Sequence, residues 1–361
     1  GTLPSGSAAY EKRGVAVDVP QWNPEGCIQC NFCSYVCPHA CIRPVAMDAD
    51  QLAKAPANNA VDLKGVDGVK FVMSVSADDC TGCGSCANVC PGNMKNNVLS
   101  MVPYAEGLSQ QEFFNYGVTI DAPEAVLDKF PESTVKGSQY KQPLLEFSGA
   151  CGGCGETPYA KLMTQLFGDR MYVANATGCS SIWGGSSPAS PYTVNHEGKG
   201  PAWANSLFED NAEYGFGMEL GQRANRAKVV AAAEELVKTA EKEEVKAKVQ
   251  AYLDTIQNSG ANAKAAKEMI AALEACGCQN ENVQTILQLK DFAAKKSQWI
   301  LGGDGWAYDI GYGGLDHVLA SGQDVNVLVF DTEVYSNTGG QASKATPTGA
   351  IAQFAAGGKD V

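Results

Sequence analysis

The stretch Cys27-Ile-Gln-Cys30-Asn-Phe-Cys33-Ser-Tyr-Val-Cys37-Pro38 places four cysteines at fixed intervals and ends in a Cys-Pro pair. The same spacing, C-x2-C-x2-C-x3-C-P, returns as Cys80-Thr-Gly-Cys83-Gly-Ser-Cys86-Ala-Asn-Val-Cys90-Pro91. A single copy would also fit zinc, because Cys-x2-Cys pairs ligate zinc in many proteins. Two complete copies, each ending in Cys-Pro, are instead typical of bacterial proteins with two [4Fe–4S] clusters. The spacing therefore favours iron–sulfur clusters over zinc.

Each motif is expected to share its ligands between two clusters. Three closely spaced thiolates bind three corners of one cubane, while the fourth cysteine binds the other cluster. The two ligand sets are therefore Cys27, Cys30, Cys33 and Cys90, and Cys80, Cys83, Cys86 and Cys37. Cys41 follows the first motif and is interpreted as a buried free thiol. We expect residues 26–115 to form an α+β bacterial-type 2[4Fe–4S] ferredoxin domain, preceded by an irregular lead-in over residues 1–25.

The composition excludes several classes of protein. A formal net charge of −13 over 361 residues argues against nucleic acid or an anionic membrane as a partner. No apolar run is long enough for a membrane-spanning helix, and no secretion signal is visible at the start. We therefore expect a cytoplasmic protein. Disulfide scaffolds belong to small secreted chains, so the 14 cysteines favour metal ligation. Because the chain starts at Gly1 rather than Met, we expect a piece of a longer protein.

The second half of the chain has the pattern of a parallel α/β domain, predicted over residues 116–361. Its strand candidates are Met171–Asn175, Trp299–Gly302 and Val325–Phe330, and its helix candidates are Tyr159–Phe167 and Leu315–Leu319. An ordered loop is expected over residues 183–205. Residues 101–147 contain four prolines and are interpreted as a linker.

A helical insertion is predicted inside this α/β domain, over about residues 219–297. Ala, Glu, Lys and Gln dominate there, with apolar residues at helical spacing and breaks that suggest about three helices. Cys276 and Cys278 lie at one of these breaks. They are interpreted as structural or redox-inert thiols, with ligation as the open alternative.

Two strand ends carry the residues of a diphosphate and cation site. These are Gly302-Gly-Asp-Gly305 and Asp331-Thr-Glu-Val-Tyr-Ser-Asn-Thr-Gly-Gly340. Ligands of open parallel sheets bind at the carboxyl ends of the strands. Mg²⁺ prefers oxygen ligands, which Asp304, the Thr332 side chain and the Val334 carbonyl would supply. A dinucleotide fingerprint fails because Tyr308 stands where its third glycine is required, so the pair of segments favours thiamine diphosphate.

A third cysteine group lies in Gly149-Ala-Cys151-Gly-Gly-Cys154-Gly-Glu156-Thr-Pro158 and continues with Cys179. Glycines allow a backbone to fold tightly around a bulky ligand. The stretch therefore indicates a cluster or metal site between the doubled motif and the diphosphate segments.

Taken together, the doubled motif, Ser148–Tyr159, Gly302–Asp304 and Tyr335–Pro347 resemble the pyruvate:ferredoxin (flavodoxin) oxidoreductases over nearly the whole chain. The resemblance implies the C-terminal part of such an enzyme, with a two-cluster ferredoxin domain and a truncated thiamine-diphosphate domain. It implies oxidative decarboxylation of pyruvate with coenzyme A to acetyl-CoA and CO₂. Electrons would pass through three [4Fe–4S] clusters to ferredoxin or flavodoxin. Another 2-oxoacid as substrate, or a non-catalytic electron-transfer module, stays open as an alternative.

The resemblance also implies roles for individual residues. Cys151, Cys154 and Cys179 would hold the third cluster close to thiamine, with a fourth ligand beyond Val361. Glu156 and Cys179 would line the thiamine pocket as catalytic residues, and Asp304, Thr332 and Val334 would bind Mg²⁺. The cofactor contacts would be Gly303, Asp304, Gly305, Trp306, Thr332, Glu333, Val334, Tyr335, Ser336 and Asn337. The family further implies a homodimer and N-terminal domains with most of the pyruvate and coenzyme A sites, so this chain alone is expected to be inactive.

Overall fold

The computed structural model of the protein describes residues 4–186 and 189–361. The chain divides into two units. We call them the cysteine-rich unit, which is Gly1–Asp169 with Gly178–Pro201, and the sheet unit, which is Arg170–Thr177 with Ala202–Val361. Residues 1–3 of the predicted lead-in and residues 187–188 of the predicted loop lie outside the described residues.

Antiparallel strands form two small sheets in the cysteine-rich unit. Its strands are β1 (Asp18–Trp22), β2 (Ile42–Met47), β3 (Val61–Asp62), β4 (Lys70–Val75) and β5 (Leu99–Pro103). β1 pairs with β5, and the other sheet has the order β2-β4-β3. β4 lies between the two cysteine motifs. The predicted lead-in is not irregular throughout, because β1 buries Val19 and Trp22.

Short helices connect these strands. They are α1 (Phe32–Tyr35), α2 (Ala49–Lys54), α3 (Ser85–Val89), α4 (Asn93–Asn96), α5 (Tyr104–Gly107), α6 (Gln111–Gly117), α7 (Glu124–Lys129), α8 (Val135–Ser138), α9 (Thr157–Phe167) and α10 (Cys179–Ser181). α1 and α3 each contain the third cysteine of their motif, Cys33 and Cys86. α9 confirms the helix predicted at residues 159–167.

The prediction of a linker over residues 101–147 is wrong. Four short helices, α5 to α8, lie within it, and Phe113, Val126 and Tyr140 lie in the hydrophobic core of the cysteine-rich unit. Pro103 and Pro123 directly precede α5 and α7. A proline at the start of a helix loses no hydrogen bond, because the first N–H groups of a helix have no partner within it. The prolines therefore mark helix starts rather than an unfolded linker.

The division into units differs from the boundary expected at residue 116. Residues 116–169 pack within the cysteine-rich unit: a Cβ on Gly117 would lie 2.8 Å from Cγ2 of Val45 in β2. Ser34 of the first motif donates its hydroxyl to Gln139, with 2.9 Å between Oγ and Oε1. Asn31 donates to the Lys136 carbonyl at 3.0 Å. These buried polar contacts join the later segment to the first motif.

A parallel sheet confirms the α/β interpretation of the second half. Its strands, β6 (Met171–Ala176), β7 (Ala202–Ser206), β8 (Ser297–Gly303) and β9 (Asn326–Phe330), are arranged in the order β7-β6-β8-β9. A short antiparallel pair, β10 (Val334–Tyr335) and β11 (Gln341–Ala342), follows. In the register of the sheet, Gly303 lies opposite Phe330, so β8 and β9 end side by side.

The helical insertion begins earlier and has more helices than predicted. Its helices are α11 (Asn211–Thr239), α12 (Glu243–Asp254), α13 (Ser259–Cys276) and α14 (Glu281–Gln288), and α15 (Tyr312–Ala320) follows β8. α11 starts against the sheet, where Asn211 donates to the Leu301 carbonyl at 3.0 Å. Cys276 and Cys278 form a disulfide, so the interpretation of these residues as redox-inert thiols is wrong. Within the described ranges, no helix has both the length and the hydrophobicity needed to cross a bilayer.

Candidate functional site

The two cysteine motifs bend their backbones in the same way. Gln29 and Gly82 hold matching positions two residues after the first cysteine, and both have positive φ, 58° and 69°. This conformation aims the backbone N–H of each residue at a sulfur. Gln29 donates to Cys27 Sγ at 3.4 Å and Gly82 donates to Cys80 Sγ at 3.3 Å. N–H groups that point at sulfur stabilise negative charge on a thiolate.

Each predicted ligand set lines a cavity of its own. One cavity lies at the first motif and the other at the second. The linings include Cys27, Cys30, Cys33 and Cys90 in the first case, and Cys37, Cys80, Cys83 and Cys86 in the second. Each set thus contains one cysteine from the opposite motif. Among the described residues, no three His, Cys, Asp or Glu side chains are close enough to hold a single metal ion.

Burial raises the pKa of at least one thiol in each set. Burial raises the pKa of Cys33 well above its usual range, and the neighbouring Cys86 and Cys30 raise it further. Burial raises the pKa of Cys80 to about 11. Sulfurs that crowd together in a poorly solvated cavity resist ionisation unless a cation binds them. The donor set therefore fits iron, which binds thiolates.

Cys37 differs from Cys33 and Cys80 in the direction of its pKa shift. Its pKa is lowered well below the usual range, chiefly by a hydrogen bond from the Cys41 side chain and, more weakly, by the charge of Lys161. The Cys41 backbone also donates to Cys37 Sγ at 3.3 Å. Cys41 is buried, as expected. It is nevertheless not isolated, because it contacts a predicted ligand.

The central cysteines form a third group in the same unit. The Glu156 backbone donates to Cys154 Sγ at 3.4 Å, which repeats the N–H to sulfur contact of the two motifs. Burial raises the pKa of Cys179 to about 12, and the nearby Glu156, Cys154 and Cys151 add to this shift. The three predicted ligands and the predicted catalytic carboxylate are therefore within electrostatic range of one another.

This central loop lies against the second ligand set. A Cβ on Gly152 would be 3.9 Å from the Cβ of Cys83, and one on Gly153 would be 3.7 Å from it. His39 lies beside the same loop, with 2.9 Å between its Nε2 and the carbonyl oxygen of Ala150. The central loop thus lies within van der Waals range of the second motif.

Glu156 has a partner that the sequence analysis missed. Trp183 donates its indole N–H to the carboxylate, with 2.8 Å between Nε1 and Oε2. Both side chains are buried in the cysteine-rich unit. The signal in the sequence was weak, since Trp183 is a single tryptophan in a segment rich in glycine and serine.

The sheet unit gathers oxygen atoms where β8 and β9 end. The Thr332 hydroxyl is 3.3 Å from Asp304 Oδ1, 3.0 Å from the Val334 carbonyl and 2.5 Å from the Ser336 hydroxyl. Asp304 is only 1% exposed. One hydroxyl has a single proton and cannot donate to all three oxygens. A bound cation would satisfy the surplus oxygens, so the donor set fits Mg²⁺.

Ser343 and Asp309 complete this site and were missed by the sequence analysis. Ser343 donates its hydroxyl to Asp304 Oδ2, and the Tyr335 hydroxyl donates to Asp309 Oδ2 at 2.9 Å. Gly305 makes room for this tyrosine, because a Cβ there would lie 2.4 Å from the Tyr335 ring. The partners are distant in sequence, so only the fold brings them together.

The other predicted cofactor contacts differ in accessibility. Glu333, with a φ of 63°, and Asn337 are exposed, and Gly303 ends β8. Trp306 is fully buried in the core of the sheet unit, so its surface is not accessible to a ligand in this structure.

Comparison with known proteins adds a separate line of support. A family model described as a 4Fe-4S dicluster domain matches residues 26–94. Pyruvate:ferredoxin oxidoreductase from Moorella thermoacetica is 55% identical over 99% of this chain and 31% of its own length. Pyruvate-flavodoxin oxidoreductase from Enterobacter agglomerans is 53% identical over 98% of this chain and 30% of its own length. The mitochondrial pyruvate dehydrogenase [NADP(+)] of Euglena gracilis is 47% identical over 99% of this chain and 20% of its own length. The chain thus spans less than a third of each of these curated relatives.

Proposed function

Because the chain is related along nearly its whole length to one segment of the pyruvate:ferredoxin and pyruvate-flavodoxin oxidoreductases, we propose that it is the electron-transfer segment, with part of the thiamine diphosphate site, of such an enzyme. The reaction is the oxidative decarboxylation of pyruvate with coenzyme A to acetyl-CoA and CO₂. The electrons leave through three [4Fe–4S] clusters to ferredoxin or flavodoxin. Pyruvate and coenzyme A bind largely on domains outside this chain, in a homodimeric enzyme.

The observation that carries the proposal is the exchange of cysteines between the two cavities. Each cavity is lined by three cysteines of one motif and the last cysteine of the other. This is the ligand pattern of proteins that hold two [4Fe–4S] clusters. The assigned ligands are Cys27, Cys30, Cys33 and Cys90 for one cluster, and Cys80, Cys83, Cys86 and Cys37 for the other.

The third cluster is assigned to Cys151, Cys154 and Cys179. The close approach of Gly152 and Gly153 to Cys83 supports a relay in which this group exchanges electrons with the cluster of the second motif. Electrons would then continue to the cluster of Cys27. The assignment of Glu156 and Cys179 to the thiamine pocket stays a prediction.

The thiamine diphosphate and Mg²⁺ assignment is supported by the oxygen cluster of the sheet unit. Asp304, Thr332 and the Val334 carbonyl would bind the cation, and Ser343 would orient the Asp304 carboxylate. When bound, thiamine diphosphate supplies an electron sink for breaking a carbon–carbon bond, and the clusters supply one-electron transfer. Cleft-lining glycines at the end of β8 would allow a diphosphate to approach the backbone.

The test is an acceptor assay on the complete protein that contains this chain, purified without oxygen. We expect reduction of ferredoxin or flavodoxin that requires both pyruvate and coenzyme A. Reduction of the acceptor with another 2-oxoacid, but not with pyruvate, would contradict the assignment of pyruvate as the substrate. Electron transfer from an external reductant without any turnover of a 2-oxoacid would favour the non-catalytic module.

The acceptor is tested in the same assay. One relative, named pyruvate dehydrogenase [NADP(+)], matches 99% of the residues of this chain. NADP⁺ is therefore offered in parallel with ferredoxin and flavodoxin. Preferential reduction of NADP⁺ would contradict the proposed acceptor while leaving the pyruvate chemistry in place.

A further inference from the structure

Lys161 lies on α9 with its side chain inside the cysteine-rich unit, where it is 1% exposed. Its ammonium group donates to the backbone carbonyls of Ser34, of Tyr35 at 3.2 Å and of Cys37 at 3.1 Å. All three acceptors belong to the first cysteine motif. Three acceptors need three N–H donors, which a lysine offers only when it is protonated. Lys161 is therefore a buried positive charge held against the backbone of a predicted cluster ligand.

The second motif has the same spacing without this charge. Ala87 holds the position in the second motif that Ser34 holds in the first, directly after the third cysteine. The Ala87 carbonyl accepts a hydrogen bond from the Asn93 side chain, with 2.9 Å between Nδ2 and O. A neutral amide therefore occupies the place that an ammonium has in the first motif. Two motifs of equal spacing thus have unequal electrostatic surroundings.

Lys64 provides an internal comparison for the effect of burial. Its ammonium donates to the Cys27 carbonyl, with 2.8 Å between Nζ and O, so it too contacts the backbone of a predicted ligand. Lys64 is exposed, whereas Lys161 is buried. Water and salt screen an exposed charge strongly and a buried charge much less. The charge of Lys161 is therefore screened less than that of Lys64, and it acts more strongly on the groups around it.

We propose that Lys161 raises the reduction potential of the cluster bound by Cys37, Cys80, Cys83 and Cys86. The inference rests on the proposed function, which supplies the clusters. Reduction adds one electron and makes the cluster more negative, while no bond forms or breaks. A nearby fixed positive charge stabilises the reduced form relative to the oxidised form, and net charge is one of the factors that set such potentials.

The choice of this cluster follows from the contacts. Of the three backbone acceptors of Lys161, only the Cys37 carbonyl belongs to a predicted cluster ligand. Cys37 belongs to the set that lines the cavity with Cys83, and Cys83 lies beside the central loop of Gly152 and Gly153. Lys161 would thus make the cluster of the Cys83 set easier to reduce than the cluster of the Cys27 set. The Cys83 set is the one beside the central loop.

The experiment is a redox titration followed by electron paramagnetic resonance, on the complete cluster-loaded protein and its Lys161→Gln variant. The relevant signal is the one that Cys83→Ala removes or alters. We expect the equilibrium constant for its reduction to fall at least tenfold, which is 59 mV for a one-electron couple. Lys161→Arg keeps the charge and should retain most of the potential. Lys64→Gln removes an exposed charge and should shift the signals of either motif by less.

Iron content is measured first, so that each outcome is decisive. Wild-type protein that binds no clusters would refute the proposed function itself. Another outcome is a Lys161→Gln variant that keeps its full iron content and shows an equilibrium constant for cluster reduction that falls less than tenfold. That result would overturn this inference and leave the proposed function in place. Lys161→Met is a second neutral variant in case the amide disturbs packing. Loss of iron from both neutral variants, but not from Lys161→Arg, would make Lys161 a folding residue and would also overturn the inference.

Discussion

Trp183 donates its indole N–H to the buried carboxylate of Glu156, with 2.8 Å between Nε1 and Oε2. Hydrogen bonds to a charged group contribute about 1.5–3 kcal/mol each, and they hold a carboxylate in one orientation. Glu156 lies two residues after Cys154 of the central loop. Trp183 is therefore expected to fix the carboxylate that the resemblance assigns to the thiamine pocket.

Trp183→Phe should lower pyruvate turnover by roughly tenfold or more, because the ring keeps its packing while the carboxylate loses a donor. Turnover is measured as acceptor reduction by the complete protein. Trp203→Phe is the matched control, since it removes an indole hydrogen bond to the neutral side chain of Asn175, 3.1 Å between Nε1 and Oδ1. Equal effects of both variants would contradict a specific role for Trp183.

Asp304→Asn should abolish magnesium-dependent retention of thiamine diphosphate, because it removes the charge of the oxygen cluster. Ser343→Ala should weaken retention by roughly 10- to 100-fold, as expected for a residue that orients a metal ligand. The measurement is bound thiamine after dialysis at graded Mg²⁺ concentrations. Asp316→Asn, on the exposed side of α15, serves as control. Unchanged retention in Asp304→Asn would move the cation site elsewhere.

Cys179→Ala should remove about four of about twelve iron atoms and leave the two ferredoxin-type clusters intact. Iron analysis and the low-temperature spectrum report the loss. The control is the double variant Cys276→Ser, Cys278→Ser, because these cysteines form a disulfide in the sheet unit and lie outside all three ligand sets. It should keep its iron. Simultaneous loss of all clusters in Cys179→Ala would contradict three separate sites.

Gly305→Ala should destabilise the sheet unit, since the added Cβ would lie 2.4 Å from the Tyr335 ring. Overpacking of this kind costs about 1–3 kcal/mol, and it would also displace the tyrosine from Asp309. The measurement is the midpoint of thermal unfolding. Gly313→Ala, also in the sheet unit, meets nothing within 4 Å and lies in α15, so it should not lower the midpoint. A similar drop in both variants would refute the packing argument.

The sequence predicted well those features that depend on local spacing. The two cysteine sets expected from the motifs are the two that line the cavities. The spacing within each motif is short, and it separates the first three cysteines from the fourth, which joins the other set. That these cysteines bind iron stays a prediction. The alternation of strands and helices in the second half likewise predicted the parallel sheet, since a βαβ connection has few alternative arrangements.

Contacts between distant residues could not be predicted in this way. Trp183 reaches Glu156 across 27 positions and Ser343 reaches Asp304 across 39, and no periodicity links such pairs. The linker prediction was wrong because a proline breaks the interior of a helix but is well tolerated at its start. The N-terminal strand was missed because its pairing partner, β5, is about eighty residues away.

Iron and thiamine content per chain test the central claim most directly. The complete protein is purified without oxygen, and both cofactors are measured on the same sample. The account predicts about twelve iron atoms, for three [4Fe–4S] clusters, together with one bound thiamine diphosphate. About eight iron atoms and no thiamine would contradict it, because the chain would then hold only the two ferredoxin-type clusters.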